Sequence, residues 1–170
     1  MDKVSSTTTE SHSTLVSVAA TLVSALESYG VDYRPVLAEA GLDPDVAYHP
    51  SERISSIQFK RLWEIALRES GDPCFSLTCA SYIQPSSLHG LGLSWIASHT
   101  LKEGLERVVR FQKILATESA LALRETDDGY CIYDTISQKD DPLGFPAAVY
   151  ESFVAIVFRI CTIMLGPDIR

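Results

Sequence analysis

The chain has 170 residues, of which 46% are hydrophobic, and it carries a formal net charge of −8 at pH 7. This length suits one domain with a substantial apolar core, and the composition excludes a disordered chain. The acidic balance, with a pI near 4.9, argues against a surface that grips a phosphate backbone, because such a surface needs clustered lysines and arginines.

The first 13 residues are rich in serine and threonine and contain no apolar run. They predict a mobile tail and give no sign of a secretory signal peptide. The remaining residues, 14–170, are expected to form one domain.

Apolar residues recur at helical spacing from Leu15 to Tyr29, and Gly30 ends the pattern as a glycine after a helix does. A short second helix is predicted over Pro35–Ala40. The stretch Leu42–Arg53 contains two prolines and is typical of an ordered connector.

Ser55 and Gln58 have the spacing of a capping box, which predicts the start of a third helix with Trp63 in the core. One line of this helix contains Ile57, Leu62, Ala66 and Glu69, beside Phe59, Trp63 and Leu67.

Asp72 followed by Pro73 predicts the start of a fourth helix that ends near Tyr82 or Gln84. Pro85 bounds this helix.

Gly90 and Gly92 lie inside the next helical pattern, where each costs roughly 1 kcal/mol relative to alanine. Close packing of two backbones is the favoured explanation. A phosphate-binding loop is not favoured, because no strand precedes the glycines and no Lys-Ser/Thr pair follows them.

Thr100 and Glu103 form a third capping signal, with the threonine hydroxyl accepting from an early N–H and the glutamate carboxylate accepting from the cap's own N–H. A helix is therefore predicted to begin at Leu101. Its apolar stripe contains Leu101, Leu105, Val108, Gln112 and Leu115, widened by Val109 and Phe111.

After Leu115 the pattern alternates, first around Leu121–Thr126 and again from Tyr130 to Asp134, with a polar turn at 127–129. A β-hairpin follows from this pattern. Because two strands alone are marginally stable, at least one further partner strand is expected. A charged loop is predicted over 137–144.

The last helix, Pro146–Leu165, is apolar on nearly every side and approaches the ~20 residues of a membrane span. Glu151 and Arg159 interrupt it, and proline and glycine flank it as in soluble helices. It is therefore predicted to be a central helix buried on all sides, without membrane contact. Both charged residues then need partners, and an internal ion pair of Arg159 with Glu151 or another acid is favoured.

The 4 cysteines form no CxxC pair, have no histidine at a zinc-binding spacing and mostly lie in apolar runs. Buried, reduced thiols and a cytoplasmic location are predicted from them. The residues are Cys74, Cys79, Cys131 and Cys161.

The order of motifs resembles the N-terminal sensor domain of AraC-type transcriptional regulators, of the arabinose-binding kind. The motifs are Gly-Leu-Gly-Leu at 90–93, Ala-Ser at 97–98 and Thr-Leu-Lys-Glu-Gly-Leu at 100–105, preceded by Ala-Gly-Leu at 40–42, Arg-Ile at 53–54 and Gly-Asp-Pro at 71–73. The resemblance runs from Leu15 to the end of the chain. His99 stands where such domains usually carry a proline, as a loop substitution that leaves the Thr100 cap intact.

The elements together predict an α+β domain, predominantly helical, with a small antiparallel sheet that includes the hairpin, and the resemblance gives this domain a role. It implies effector sensing and homodimerisation, with promoter DNA and RNA polymerase contacted only through a C-terminal helix-turn-helix domain that this chain lacks. It also implies that the sensor domain continues past Arg170.

No residue pattern indicates catalysis, since the four histidines are scattered and no nucleophile or paired-carboxylate motif occurs. The aspartate pairs at 127–128 and 140–141 are typical of solvated turns. An enzyme is therefore not expected, and neither a cofactor nor a metal is implied. A hydrolase or transferase would need turnover that depends on His89 or Glu151.

A sensor needs a mostly apolar pocket with a few polar groups. Arg159 is the sharpest polar candidate, because it could meet an acidic effector. For each candidate taken singly, core packing is the commoner role. The candidates are Trp95, Phe111, Tyr82, Tyr150 and Phe153 as walls, with His89, Gln112 and Arg159 as polar contacts.

Three effector classes remain open at this point, namely an amino acid, a small carboxylate and a lipid-like molecule. A different kind of function is a stand-alone dimerisation or protein-interaction module without a ligand. The polar-poor helix Pro146–Leu165 would then be an interface instead of core.

Overall fold

A computed structural model describes residues 12–135 and 143–166. It confirms an α+β, mostly helical domain with two small antiparallel sheets. The predicted tail up to residue 11 and residues 137–142 of the predicted charged loop lie outside the described residues. The elements are β1 Ser13–Leu15, α1 Val16–Ser28, α2 Tyr33–Glu39, β2 Arg53–Ser55, α3 Ser56–Ser70, α4 Phe75–Ser81, α5 His89–Ile96, α6 Leu101–Phe111, β3 Leu121–Thr126, β4 Gly129–Asp134 and α7 Ala147–Leu165.

A two-stranded ribbon brings the start of the chain to the residues before α3. β1 and β2 are antiparallel, with Ser13 opposite Ser55 and Leu15 opposite Arg53. The sequence pattern missed both strands, because three residues are too few to show alternation. Leu15 therefore lies in a strand, and α1 begins one residue later.

Side chains of Ser55, Asp32 and Asp72 accept hydrogen bonds at or near the starts of α3, α2 and α4. At α3 the Ser55 hydroxyl accepts from the Gln58 N–H at 3.2 Å, and the Gln58 side chain accepts from the Ser55 N–H at 3.1 Å. Asp32 accepts from the Arg34 N–H at 3.0 Å, so α2 begins two residues earlier than predicted. Asp72 caps a turn by accepting from the Cys74 N–H, and α4 begins after that turn.

At α6 one half of the predicted capping box is wrong. The Thr100 hydroxyl accepts from the Glu103 N–H at 3.1 Å, as expected. The Glu103 carboxylate accepts instead from the His99 N–H at 2.9 Å, one residue before the cap. This hydrogen bond lowers the pKa of Glu103.

Two apolar clusters make up the interior. The first lies among α1 to α4, and its centre is Trp63, which is 2% exposed and packs edge-on against Phe59 and Phe75. The second lies among α5, α6, β3 and α7 around Trp95. Trp63 is core as predicted, whereas Ile57 is 58% exposed and does not share its face.

Two glycines permit close approach within the second cluster. A Cβ on Gly92 would lie 1.9 Å from the carbonyl oxygen of Pro85, and one on Gly104 would lie 2.4 Å from the Trp95 ring. The prediction of close backbone packing therefore holds for Gly92. It is wrong for Gly90, where a Cβ would meet nothing within 4 Å.

The hairpin of β3 and β4 pairs Leu121 with Asp134 and Thr126 with Gly129, leaving a two-residue turn. No third strand pairs with it within 12–135 and 143–166, so the expected partner strand is not found there. β3 packs on α6 instead, which supplies the support that an isolated hairpin lacks.

The predicted all-round burial of α7 is wrong. Val154 and Phe158 are 66% and 62% exposed, because α7 packs on α4 and α5 and no described element covers these side chains. α7 is long and apolar enough to cross a membrane, judged by its length and composition alone. Of the 18 consecutive residues that are most apolar in it, 22% are buried in the protein.

The predicted ion pair of Arg159 is also wrong among the described residues. Arg159 Nε donates to the Ile83 carbonyl at 3.1 Å, and no salt bridge of the described chain includes it. Glu151 accepts from the Ser76 hydroxyl at 2.9 Å. Each charged side chain therefore bonds a neutral partner on α4 or just after it, and Glu151 is also exposed to solvent.

We expect Gly92→Ala to destabilise the fold by about 1 to 3 kcal/mol, since the new methyl group overlaps the Pro85 carbonyl. Gly90→Ala, in the same helix with open space around it, should be neutral or stabilise by up to about 1 kcal/mol. Urea unfolding of the two variants measures the difference. Equal effects would contradict the placement of α5 against Pro85.

Candidate functional site

A cavity of about 370 Å³ lies between the two clusters. Phe59 and Trp63 of α3 line it from the first cluster, and Trp95 of α5 and Val108 of α6 line it from the second. α7 contributes a third wall with Val149, Phe153, Ile156 and Val157. Exposed lining residues such as Tyr133 of β4 and Val154 show that the cavity reaches the surface.

Most of the lining is apolar, and several of its hydroxyls are already bonded to their own helix. Thr21 donates to the Val18 carbonyl at 2.7 Å, and Ser152 donates to the Val149 carbonyl at 2.8 Å. A largely apolar wall with a few polar groups is typical of small-molecule sites.

Glu118 is a carboxylate in the lining that three hydroxyls bind. It follows the single turn of 3-10 helix after α6, and its Oε1 accepts from the hydroxyls of Ser56 at 2.7 Å and Thr14 at 3.3 Å. Its Oε2 accepts from Thr117 at 3.3 Å. The carboxylate thus joins β1, the start of α3 and the segment before β3.

Gln112 is buried, and both ends of its amide are bonded inside the protein. Its Oε1 accepts from the Leu121 N–H and from the Ser119 hydroxyl, while its Nε2 donates to the carbonyls of Leu121 and Val109. The amide pairs with Leu121 as a neighbouring strand would. Gln112 therefore positions β3 at the edge of the cavity.

Both tryptophans of the chain line the cavity. Neither indole N–H has a hydrogen-bond partner among the described residues, although both are buried. The Trp95 Nε1 edge packs over Gly104, which accounts for its position. Buried donors without a partner are uncommon in proteins.

The structure brings four of the eight candidate ligand contacts to the cavity. Trp95, Gln112, Tyr150 and Phe153 line it. The other four do not line it. Tyr82 and Phe111 are 39% and 40% exposed. His89 Nε2 lies 3.1 Å from the Pro50 carbonyl oxygen, and Arg159 donates to the Ile83 carbonyl.

Sequence reasoning missed Glu118 and Thr14 as cavity residues. Glu118 lies between the stripe of α6 and the alternation of β3, where no periodic pattern marks it. Thr14 lies at the edge of the predicted tail. The sequence pattern predicted that Trp63 lies in the core, and only the fold shows that this residue also lines the cavity.

The thiols divide into two kinds, so the prediction of buried cysteines is half wrong. Cys79 and Cys161 are buried, whereas Cys74 and Cys131 are exposed. Burial raises the pKa of Cys79, which lines the cavity, so its thiol stays protonated at neutral pH. No metal-binding group of three or more His, Cys, Asp or Glu occurs in the described ranges.

Comparison with known proteins identifies the family of this domain. Residues 30–170 match the family described as the arabinose-binding domain of AraC transcription regulator, N-terminal. The chain belongs to this family. A curated relative, the "Ornithine utilization regulator" of Pseudomonas aeruginosa, is 24% identical over 157 residues, covering 91% of this chain and 45% of the relative. The chain thus spans less than half the length of that AraC-type regulator.

Replacing Gln112 with leucine should cost about 1 to 3 kcal/mol of stability, because the buried N–H and carbonyl of Leu121 lose their partners. Lys113→Ala, at the exposed neighbouring position, should change stability by no more than about 0.5 kcal/mol. Chemical denaturation of both variants checks this. Full stability of the Gln112 variant would contradict the role assigned to the amide.

Proposed function

We propose that this domain senses a small-molecule effector and that the cavity between the two clusters is the effector site. The single observation that carries the proposal is the cavity itself, lined mainly by apolar side chains from three sides of the fold. Its volume of about 370 Å³ lies within the range of small-ligand sites, roughly 300 to 1,000 Å³. The family of the chain supports a regulatory sensing role.

The proposed mechanism is linkage between effector binding and the arrangement of the two clusters. A ligand that contacts both clusters binds one arrangement better than others and shifts the domain toward it. Control of promoter DNA and RNA polymerase would then pass through a helix-turn-helix domain in the same cytoplasmic protein. The net charge of −8 fits a protein in which a separate domain binds DNA, because an acidic sensing domain repels the DNA backbone.

The residues that line the cavity favour some effector classes over others. A sugar site would need many converging polar groups, whereas most of this wall is apolar. The relative's name concerns ornithine utilization, which favours an amino acid among the three open classes. An effector with an apolar body fits the walls best.

We expect a metabolite screen that includes ornithine, other amino acids, amines, fatty acids and arabinose to yield a compound that raises Tm with increasing concentration. Val157→Phe should weaken this response, because the larger ring fills part of the cavity. Val109→Phe is the matched control, since Val109 packs on the same cluster without lining the cavity. A screen without any shift, or a response unchanged by Val157→Phe, would contradict the proposed site.

A second candidate function, homodimerisation, is favoured by the outer side of α7. Val154, Phe158 and Leu165 follow one another on one side of this helix and are 66%, 62% and 52% exposed. Apolar side chains grouped in this way mark interaction surfaces. A second copy of the domain presenting the same helix would cover them symmetrically.

Phe158→Glu should convert such a dimer to a monomer in sedimentation velocity, because two introduced charges would face each other across the symmetric contact. Tyr48→Glu, at a similarly exposed position far along the chain, is the control. A wild-type monomer at tens of micromolar protein would contradict dimerisation through α7.

A further inference from the structure

We propose that the effector carries a positively charged amino group, and that the Glu118 carboxylate binds this group while the apolar walls hold the rest of the molecule. The inference rests on the proposed function, because it assigns chemistry to the same cavity. It adds the class of ligand and the residue that selects it.

The carboxylates are the side chains with a formal charge at pH 7 among the lining residues that the structure describes, counting histidine as neutral. Among the described lining residues are two carboxylates, Glu118 and Asp134, and one imidazole, His12. None of the described lining residues is a lysine or arginine. An effector whose only charge is a carboxylate would lose its hydration against these walls, and Glu118 would repel it. Glu118 would attract an ammonium group instead.

Glu118 is held in place by groups that leave one of its oxygens available. Oε1 takes the hydroxyls of Ser56 and Thr14, at 2.7 and 3.3 Å. Among residues 12–135 and 143–166, Oε2 accepts only from the Thr117 hydroxyl, at 3.3 Å, and that hydroxyl also lies within 3.5 Å of the Ser13 carbonyl. Since each carboxylate oxygen offers two lone pairs, Oε2 retains capacity for an N–H donor.

These hydroxyls fix the position of the carboxylate before a ligand arrives. Ser56 is the first residue of α3, and Thr14 lies in β1, so both donors come from rigid elements. Both are 1% exposed. A positioned acceptor loses little freedom when it binds an ammonium group, which favours a charge-assisted hydrogen bond.

The anchored carboxylate distinguishes the cavity from an apolar packing void, which would have no charged group in its wall. The indoles of Trp63 and Trp95 line the same cavity and suit the apolar body of such an effector.

The test compares ligands that differ only in their charged end. The amines are butylamine, hexylamine and phenethylamine; butanol, hexanol and phenethyl alcohol are the neutral counterparts; butanoate, hexanoate and phenylacetate are the anions. Isothermal titration calorimetry on the complete chain at neutral pH and low salt gives the Kd of each. We expect at least one amine to bind about tenfold or more tightly than its alcohol, and its carboxylate to bind most weakly.

Glu118→Gln should remove the preference for the amine while binding of the alcohol stays unchanged. Alcohol binding shows that the cavity of the variant is still folded, so a simple loss of structure is recognised. Glu118→Asp keeps the charge and should retain part of the preference. Glu106→Gln removes a carboxylate from the exposed side of α6 and should leave all Kd values as in the wild type.

The outcomes separate the two proposals. Equal binding of amine and alcohol, preference for a carboxylate, or an amine preference that survives Glu118→Gln would overturn the assignment of the ammonium group while leaving the cavity as a binding site. If none of the nine compounds binds, this inference fails. If the broad metabolite screen also yields no compound, the proposed function fails with it.

Discussion

The attachment of residues 114–118 to the β1–β2 ribbon is the constraint on which the rest of the structure depends. Arg53 donates to the Ile114 carbonyl at 2.7 Å and to the Ser13 carbonyl at 2.7 Å, and the Leu15 N–H donates to the Leu115 carbonyl at 2.8 Å. Glu118 completes the attachment through Thr14 and Ser56. These bonds connect the helices of the first cluster to α6 and the hairpin of the second.

The cavity is a consequence of this arrangement. Each cluster has its own tryptophan at the centre, and the attachment holds the clusters side by side along one edge. α7 closes another side by packing on α4 and α5, one from each cluster. A ligand in the space between them contacts both halves, which is the arrangement that an effector-dependent change needs.

The sequence predicted those features whose signals are local. The caps at Ser55 and Thr100 and the hairpin with its polar turn each depend on a few neighbouring residues, and the structure contains all of them, with the turn shortened to two residues because Gly129 pairs with Thr126. Composition identified α7 as an apolar helix, but apolarity does not specify which sides have neighbours. Its exposed Val154 and Phe158 were therefore unforeseen.

The cavity was the least predictable part, because its polar groups meet over long separations in the chain. Glu118 bonds to residues 104 and 62 positions away, and neither contact has a sequence pattern. Gln112 was correctly predicted to lie on the buried side, although α6 ends one residue before it, and its pairing with Leu121 requires the position of β3. Half of the candidate contacts were therefore aromatic or polar residues that pack or bond elsewhere.

The measurement that tests the central claim most directly is the intrinsic fluorescence of the wild-type domain during titration with a compound that raises its Tm. The chain's 2 tryptophans both line the cavity, so every emitting indole reports on it. The account predicts a saturable change in emission with the same Kd as the thermal response. Saturable binding that leaves the emission and its acrylamide quenching unchanged would place the effector elsewhere and contradict the account.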